Sequence, residues 1–217
     1  MQSPSEKQSL LLICAHRQES KIILEDFTYS HTQMFQKYTL FQLESDFLSL
    51  LELGNISLSH RDNLETILRK INPAIIVNYG ICGALSKQVQ LHQNYLVTQI
   101  RYEEKAEIKL PSPFRLMRTA TGTLFKTACL FTAKMPVLNR KMKDEIWQSC
   151  GCELVDLEGY IVAQIARDLK IPLIVLKHVS DYADHHAKGL IKNDVRIWQK
   201  SLKQTLIEII SSLQKSS

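Results

Sequence analysis

Apolar residues along this chain follow two patterns, short continuous runs and a repeat of about four positions. Continuous runs at residues 9–15 and 74–79 are bounded by polar residues or turn formers, which predicts buried strands. Through residues 157–169 an apolar residue recurs at every fourth position, which predicts a helix with one buried face. Buried strands and amphipathic helices therefore alternate along the chain.

The same criteria place the remaining elements. Further strands are predicted at residues 35–43, 94–102, 127–131, 152–155 and 172–176, and further helices at 19–27, 64–71, 144–149 and 195–213. Residues 47–53 fit either state. This order predicts an α/β fold with a largely parallel or mixed central β-sheet flanked by helices. We expect a single domain over residues 9–217 after a disordered lead over residues 1–8.

Composition narrows the class of protein. A chain of 217 residues with 45% hydrophobic and 23% charged residues is typical of one globular domain. The net charge of +5 is spread along the chain, which argues against nucleic-acid binding as the main function. The apolar runs are too short to span a bilayer, and the polar N-terminus lacks a signal-peptide pattern. We expect a cytoplasmic protein without a membrane partner.

Cysteine spacing points away from disulfide and metal chemistry. The five cysteines are an odd number, and Cys150 and Cys152 are one residue too close for a CxxC pair. No matching pair of histidines accompanies them. The sequence therefore predicts free buried thiols in a reducing compartment and no metal site.

Two acidic clusters follow two consecutive predicted strands. Asp156 and Glu158 close the first strand, and Asp181 and Asp184 close the second. Since ligands of open α/β sheets bind at the carboxyl ends of the strands, both clusters are expected in one crevice. Carboxylates held apart in one crevice suit acid/base hydrolysis of a glycosidic bond. An enzyme is therefore the leading hypothesis.

Residues 75–85 (IIVNYGICGAL) predict a strand that runs into a Gly-x-x-Gly turn. Gly80 and Gly83 would let the backbone approach a ligand closely, although a plain tight turn explains them too. Neither a GxGxxG pattern nor a Walker lysine is present, so a nucleotide-phosphate cradle is not supported.

Taken in order, the segments IIVNYGICGAL, VDLEGYIVAQIA and VLKHVSDYAD resemble the nucleoside phosphorylase and nucleosidase superfamily. The similarity is closest to the methylthioadenosine/S-adenosylhomocysteine nucleosidases and to futalosine hydrolase. The resemblance implies one α/β domain with a central mixed sheet, a small-molecule nucleoside substrate and no cofactor. It also implies a homodimer with active sites near the subunit interface.

The resemblance assigns roles at the cleavage site. Glu158 would bind the ribose hydroxyls, and Leu157 would pack under the sugar. Asp181, held by Ser180, would protonate or stabilise N7 of the leaving purine, and Glu19 would activate water. From the residues alone, Glu19 is also explained as a first-turn glutamate that favours the helix dipole, and Glu158 and Asp181 as helix caps. Asp156 and Asp184 are expected to be structural.

Positions around the glycine motif favour water over phosphate. Asn78 stands where phosphorylases of the family place an arginine, and the apolar Ile81 stands at a phosphate-contacting serine position. Lys177 takes the place of a nucleosidase arginine near the water, or is a surface lysine at the strand end.

The base and 5′ pockets depart further from the family. Pro136 stands where an aromatic ring is expected to stack on the purine, and Val137 follows it. Ile191 would line the 5′ pocket. His185 and His186 would contact a polar or acidic 5′ group, or are an exposed loop pair.

The sequence thus predicts a purine-nucleoside N-ribosylhydrolase that acts on a 5′-modified nucleoside. Methylthioadenosine or S-adenosylhomocysteine is one substrate class, and futalosine or aminodeoxyfutalosine, in menaquinone biosynthesis, is the other. Two alternatives stay open: a phosphate-dependent purine nucleoside phosphorylase, and a non-catalytic nucleoside-binding protein of the same fold.

Overall fold

A computed structural model describes residues 9–35, 37–43, 47–103, 106–111 and 124–214. Its strands are β1 (Leu10–Cys14), β2 (Tyr29–Phe35), β3 (Tyr38–Leu43), β4 (Leu48–Glu52), β5 (Ile75–Ala84), β6 (Asn94–Tyr102), β7 (Ala106–Lys109), β8 (Thr127–Thr132), β9 (Leu154–Asp156) and β10 (Leu173–Asp181). Its helices are α1 (Arg17–Leu24), α2 (Arg61–Ile71), α3 (Arg140–Cys150), α4 (Gly159–Asp168), α5 (Ala187–Asn193) and α6 (Val195–Gln214), with a 3-10 turn at Leu58–His60. The predicted lead over residues 1–8 lies outside the described residues, and the domain limits stay a prediction.

The strands form one mixed sheet that closes on itself. β10 pairs with β5 in parallel and with β6 in antiparallel orientation, so the path β5-β9-β8-β6-β10 is a ring. From β5 the sheet continues through β1, β4, β3 and β2, and β7 pairs with β6. The predicted α/β fold with a central mixed sheet and flanking helices is confirmed.

Both faces of the central strands are buried, as the continuous apolar runs indicate. In β1, Leu11 and Ile13 point into a core that contains residues of α2 and α4, whereas Leu10 and Leu12 point into a second core with α1 and α6. Burial of one leucine side chain contributes about 1.5–3 kcal/mol to the free energy of folding. The two cores thereby fix the end of β1, from which the site is built.

The predicted Gly-x-x-Gly turn is wrong, because β5 continues through both glycines to Ala84. Its extension pairs with β10, which places Gly80 beside Lys177 and Gly83 beside Asp181. β10 likewise runs five residues past its predicted end, to Asp181. Polar residues interrupt the apolar run of β10, but they are buried in the structure.

Other elements differ in their limits. The strand predicted at 35–43 is two strands, since Phe35 ends β2 and Tyr38 begins β3. Residues 47–53 contain a strand, β4. The patterns did not reveal the polar β2, the short β7 or the seven-residue α5. None of the described helices combines the length and apolarity needed to cross a membrane.

The expectation of free thiols is wrong for two cysteines. Cys129 of β8 and Cys152, just before β9, are joined by a disulfide with their α-carbons 4.6 Å apart. The parallel pairing of β8 with β9 brings these two segments side by side. Cys14, Cys82 and Cys150 are free. The cytoplasmic location, which rested partly on free thiols, stays a prediction.

Candidate active site

A cavity of about 270 Å³ lies where β1, β9 and β10 end and where the last third of β5 passes beside them. This is slightly below the usual range of small-molecule sites, about 300–1,000 Å³. Its wall consists of Ala15, His16, Glu19, Ile81, Cys82, Gly83, Pro136, Val137, Leu138, Val155, Asp156, Leu157, Glu158, Ser180, Asp181, Ala183, Ala187, Lys188 and Ile191. The acidic clusters after β9 and β10 therefore meet in one crevice, and Glu19 joins them.

Glu19 is held by three backbone N–H groups. Its Oε2 accepts hydrogen bonds from the amides of Ala15 (3.0 Å) and His16 (2.8 Å), just before α1 begins. Its Oε1 accepts one from the amide of Ile81 in β5 (2.8 Å). The carboxylate caps α1 and also lies on the cavity wall, so its capping contact leaves it within reach of the cavity. Only 2% of Glu19 is exposed.

A buried ammonium group lies behind Glu158. Lys177 of β10 is fully buried, and its Nζ lies 2.8 Å from Asp156 Oδ2 and 2.5 Å from Glu158 Oε1. Asp156 also accepts hydrogen bonds from the hydroxyl of Thr132 (2.7 Å) and the amide of Gly159 (3.0 Å). The amide of Gly159 starts α4, so Asp156 ties together β8, β10 and the helix. Lys177 thereby fixes the carboxylate of Glu158 at the wall.

The charges of this triad shift one another. Burial lowers the pKa of Lys177, but Asp156 and Glu158 outweigh that effect and hold this pKa well above its ordinary value. Burial raises the pKa of Glu158 to about 7, the charge of Asp156 adds to the rise, and Lys177 opposes it. Lys177 is therefore a permanent cation, whereas Glu158 titrates close to neutral pH.

Asp181 ends β10 with its carboxyl group facing the cavity. Oδ2 accepts a hydrogen bond from the hydroxyl of Ser180 (2.8 Å), and Oδ1 accepts one from the amide of Ala183 (2.8 Å). Burial raises the pKa of Asp181 above its ordinary value, although both hydrogen bonds oppose the rise. A Cβ atom at Gly83 would lie 3.0 Å from Oδ1, so the glycine leaves room for this carboxyl group. Asp181 is thus positioned to keep a proton at higher pH than an exposed aspartate.

Two predicted residues do not reach the wall. Lys177 is not at the surface, because it lies within β10 behind Glu158. Gly80 also stays behind the wall, with its α-carbon facing Glu19. Asn78 is buried and its amide donates a hydrogen bond to the carbonyl of Ile13 at 3.3 Å, so it acts within the sheet.

The structure places the remaining predicted side chains on the wall, with two exceptions. Ile81, Leu157, Pro136, Val137 and Ile191 line the cavity. His185 and His186 do not, and their ring centroids lie 3.8 Å from each other in the exposed loop before α5.

Two basic side chains of the wall were missed by the sequence interpretation. His16 precedes α1, and Lys188 lies in the first turn of α5. Only the spacing of Lys188 from Ile191, three positions in a helix, would have indicated its position. Within the described ranges, no three His, Cys, Asp or Glu side chains are grouped as a metal ion requires.

The fold and the cavity define an α/β protein with a carboxylate-lined site at its strand ends. The chain belongs to the phosphorylase superfamily, whose family model matches residues 10–213. This confirms the family predicted from the three motifs.

The individual relatives share low sequence identity with this chain. The 5′-methylthioadenosine/S-adenosylhomocysteine nucleosidase of Buchnera aphidicola is 23% identical over 193 residues, which cover 76% of this chain and 80% of that protein. A futalosine hydrolase mutant of Helicobacter pylori superposes with a TM-score of 0.84 at 14% identity, over 97% of this chain and 100% of that one. The 5′-methylthioadenosine/S-adenosylhomocysteine nucleosidase of Neisseria meningitidis, solved with methylthio-immucillin-A, superposes with a TM-score of 0.84 at 17% identity. The superposition covers 94% of this chain and 99% of that one. At these identities the structural likeness shows the shared fold.

Proposed function

We propose that this chain is a purine-nucleoside N-ribosylhydrolase that cleaves the N-glycosidic bond of a 5′-modified nucleoside with water. The observation that carries the proposal is the meeting of three buried carboxyl groups, those of Glu19, Glu158 and Asp181, on one cavity wall. Their surroundings differ, which suits one of them to act as an acid and another as a base. The names of the relatives, nucleosidases and a hydrolase, support the same chemistry.

The proposed reaction uses each carboxyl group once. Asp181 gives its proton to N7 of the purine, and the bond between C1′ and N9 breaks with its electron pair going to the base. The sugar then carries an oxocarbenium-like charge, and a water molecule attacks C1′. Glu19 takes the proton of that water, and Glu158 binds the ribose hydroxyls. The products are the free purine and the 5′-modified ribose.

Glu19 is suited to the base role because its position is fixed before substrate arrives. Backbone N–H groups from two chain segments hold both of its oxygens, so little reorganisation is needed. Asp181 is suited to the acid role since burial raises its pKa. Ser180 holds the Asp181 carboxyl group, and Leu157 packs on the sugar side of the wall.

Water is favoured over phosphate as the nucleophile by the charge of the inner wall. Glu19, together with Glu158 in its ionised form, would repel a phosphate dianion, and the ammonium of Lys177 is already paired with Asp156 and Glu158. Ile81 offers an apolar side chain there. A phosphorylase would need a cation at this depth, and among the described wall residues the only lysine or arginine is the exposed Lys188.

The substrate classes follow from the relatives. Methylthioadenosine and S-adenosylhomocysteine are named for the Buchnera protein, and futalosine for the Helicobacter one. In the second case the reaction would belong to menaquinone biosynthesis. Pro136 and Val137 on the wall provide an apolar surface for the base in place of a stacked aromatic ring.

The proposal is tested by measuring free purine released from a panel of 5′-modified adenosine and inosine derivatives, in phosphate-free buffer and with added phosphate. We expect purine and a reducing sugar without phosphate. Strict dependence on phosphate, with a sugar 1-phosphate as product, would identify a phosphorylase. Tight nucleoside binding without any purine release would identify a binding protein.

The proposal includes a homodimer, as the family resemblance implies. Met135 and Tyr182 support it, since they are 59% and 45% exposed and are chain neighbours of the wall residues Pro136 and Asp181. Sedimentation equilibrium should give twice the mass of the chain. A monomer at concentrations where the protein is active would contradict this part.

A further inference from the structure

The charges of the cavity are separated by depth. The carboxyl groups of Glu19, Glu158 and Asp181 are at most 6% exposed and form its inner part. Lys188 belongs to the same wall but is exposed, so it lies at the mouth. The cavity therefore presents an acidic interior and the ammonium group of Lys188 at its mouth.

The ammonium of Lys188 is free to meet a ligand. Within the part of the chain that the structure describes, it has no hydrogen-bond or ion-pair partner. The other lysines near the site differ in this respect. Lys177 is paired with two carboxylates, and Lys143 donates a hydrogen bond to the carbonyl of Tyr182 at 2.7 Å.

Helix α5 determines which part of a substrate Lys188 would contact. Ile191 lies three positions further along α5, so the two side chains share one face, and both line the cavity. If the purine is bound at Asp181 and the ribose at Glu158, as proposed above, the 5′ substituent is the part left to extend along this face to the mouth. Its inner portion then meets Ile191 and its outer end meets Lys188.

We propose that Lys188 is a specificity-determining residue that selects nucleosides whose 5′ substituent ends in an anionic group such as a carboxylate. The inference rests on the proposed function for the orientation of the substrate. An apolar spacer would contact Ile191 and Ala187, and the terminal carboxylate would pair with the ammonium at the rim. The inner carboxylates disfavour the reverse orientation, in which the anion would enter the acidic interior.

The test compares two substrates that differ only in charge, a 5′-carboxyalkylthio-adenosine and its primary amide. With the unmodified protein we expect kcat/KM to be about fivefold higher for the carboxylate, the size of a partly exposed ion pair. In Lys188→Gln the ratio should fall to about one, and Lys188→Arg should retain it. Turnover of the uncharged 5′-methylthioadenosine is measured with each variant, so that a general loss of activity is distinguished from a loss of the preference for the carboxylate. Lys192→Gln removes the same charge from the same helix outside the wall and should keep the preference.

A binding measurement separates failure of this inference from failure of the proposed function. The same pair of 5′ groups is attached to a 9-deazapurine C-nucleoside, whose carbon–carbon link cannot be hydrolysed, and titrated calorimetrically. Tighter binding of the carboxylate that depends on Lys188 would support the inference even if no nucleoside were cleaved. Equal binding of carboxylate and amide, or a preference that survives Lys188→Gln, would overturn it while leaving hydrolysis untouched.

Discussion

Gly80 of β5 lies directly against the carboxylate of Glu19, so that a Cβ atom on residue 80 would be 2.5 Å from Oε1 and 3.1 Å from the carboxyl carbon. The contact with Oε1 is too short to exist without movement of one of the two residues, and the contact with the carboxyl carbon is tight. The same oxygen accepts a hydrogen bond from the amide of Ile81, next in the strand. The glycine is therefore required by the position of the carboxylate rather than by a turn.

The first prediction is that Gly80→Ala displaces Glu19 and lowers kcat/KM for purine release by at least about tenfold, since a small misplacement of a base is costly. Overpacking of the buried site should also cost roughly 1–3 kcal/mol of the free energy of unfolding. Activity and thermal unfolding are both measured.

Gly189→Ala is the matched control, because a Cβ at that position in α5 meets nothing within 4 Å. It should retain activity and leave the stability equal or slightly higher. Wild-type turnover in Gly80→Ala would show that the position of Glu19 does not matter for the reaction.

A second prediction concerns Asp181→Asn, which removes the acidic proton but keeps the shape. We expect purine release to fall by roughly 10²–10⁴-fold, the usual contribution of a general acid, with little change in the melting temperature. Asp184→Asn is its control, since Asp184 lies outside the wall and its carboxylate accepts a hydrogen bond from the loop amide of His186. Near-normal release by Asp181→Asn would remove this residue from the mechanism.

The third prediction uses the raised pKa of Glu158. Between its ordinary value of 4.5 and about 7, the folded protein keeps a proton that the unfolded chain has lost. The contribution of Glu158 to the free energy of unfolding must therefore decrease as the pH rises through this window. Glu158→Gln abolishes that dependence, so the variant should gain roughly 1–3 kcal/mol relative to the wild type between about pH 5 and pH 8.

Denaturant unfolding of the wild type and of Glu158→Gln at both pH values measures this difference in the free energy of unfolding. The other titrating groups are present in both proteins, so their contributions cancel in the comparison. Glu145→Gln removes a charge from an exposed position of α3 and controls for the change in net charge. A Glu158→Gln effect that is the same at both pH values would contradict the buried triad.

The order of elements could be predicted because apolar periodicity is strong where elements are buried. The apolar pattern predicts β1 and α4, and both are largely buried, since all of β1 and seven residues of α4 lie in the interior. The extension of β10 to Asp181 could not be predicted in this way, because Lys177 and His178 interrupt its apolar run. Their burial depends on partners from other elements, Asp156 and Glu158 for Lys177 and Asn94 for His178.

The inner site was foreseeable in its residues but not in its contacts. Strand ends and family motifs indicate Glu19, Glu158 and Asp181, and all three lie on one wall. The role of Asp156 as partner of Lys177 depends on the pairing of β5 with both β9 and β10, which no local pattern records. Lys188 was missed for a similar reason, since α5 is too short to produce a periodic signal.

The last prediction concerns Ser180, which holds Asp181 and lowers its pKa. The hydroxyl is 2.8 Å from Asp181 Oδ2 and 3.2 Å from the carbonyl of Cys82, so the carboxyl group is the nearer acceptor. Removing the hydroxyl in Ser180→Ala should raise the pKa of Asp181 further, because the ionised form loses a donor. The acid then stays protonated to higher pH, and the alkaline limb of kcat/KM should move up by about half a pH unit to one unit. Ser149→Ala, which removes a surface hydroxyl from α3, should leave the profile in place. An unchanged alkaline limb in Ser180→Ala would mean that Asp181 does not set it.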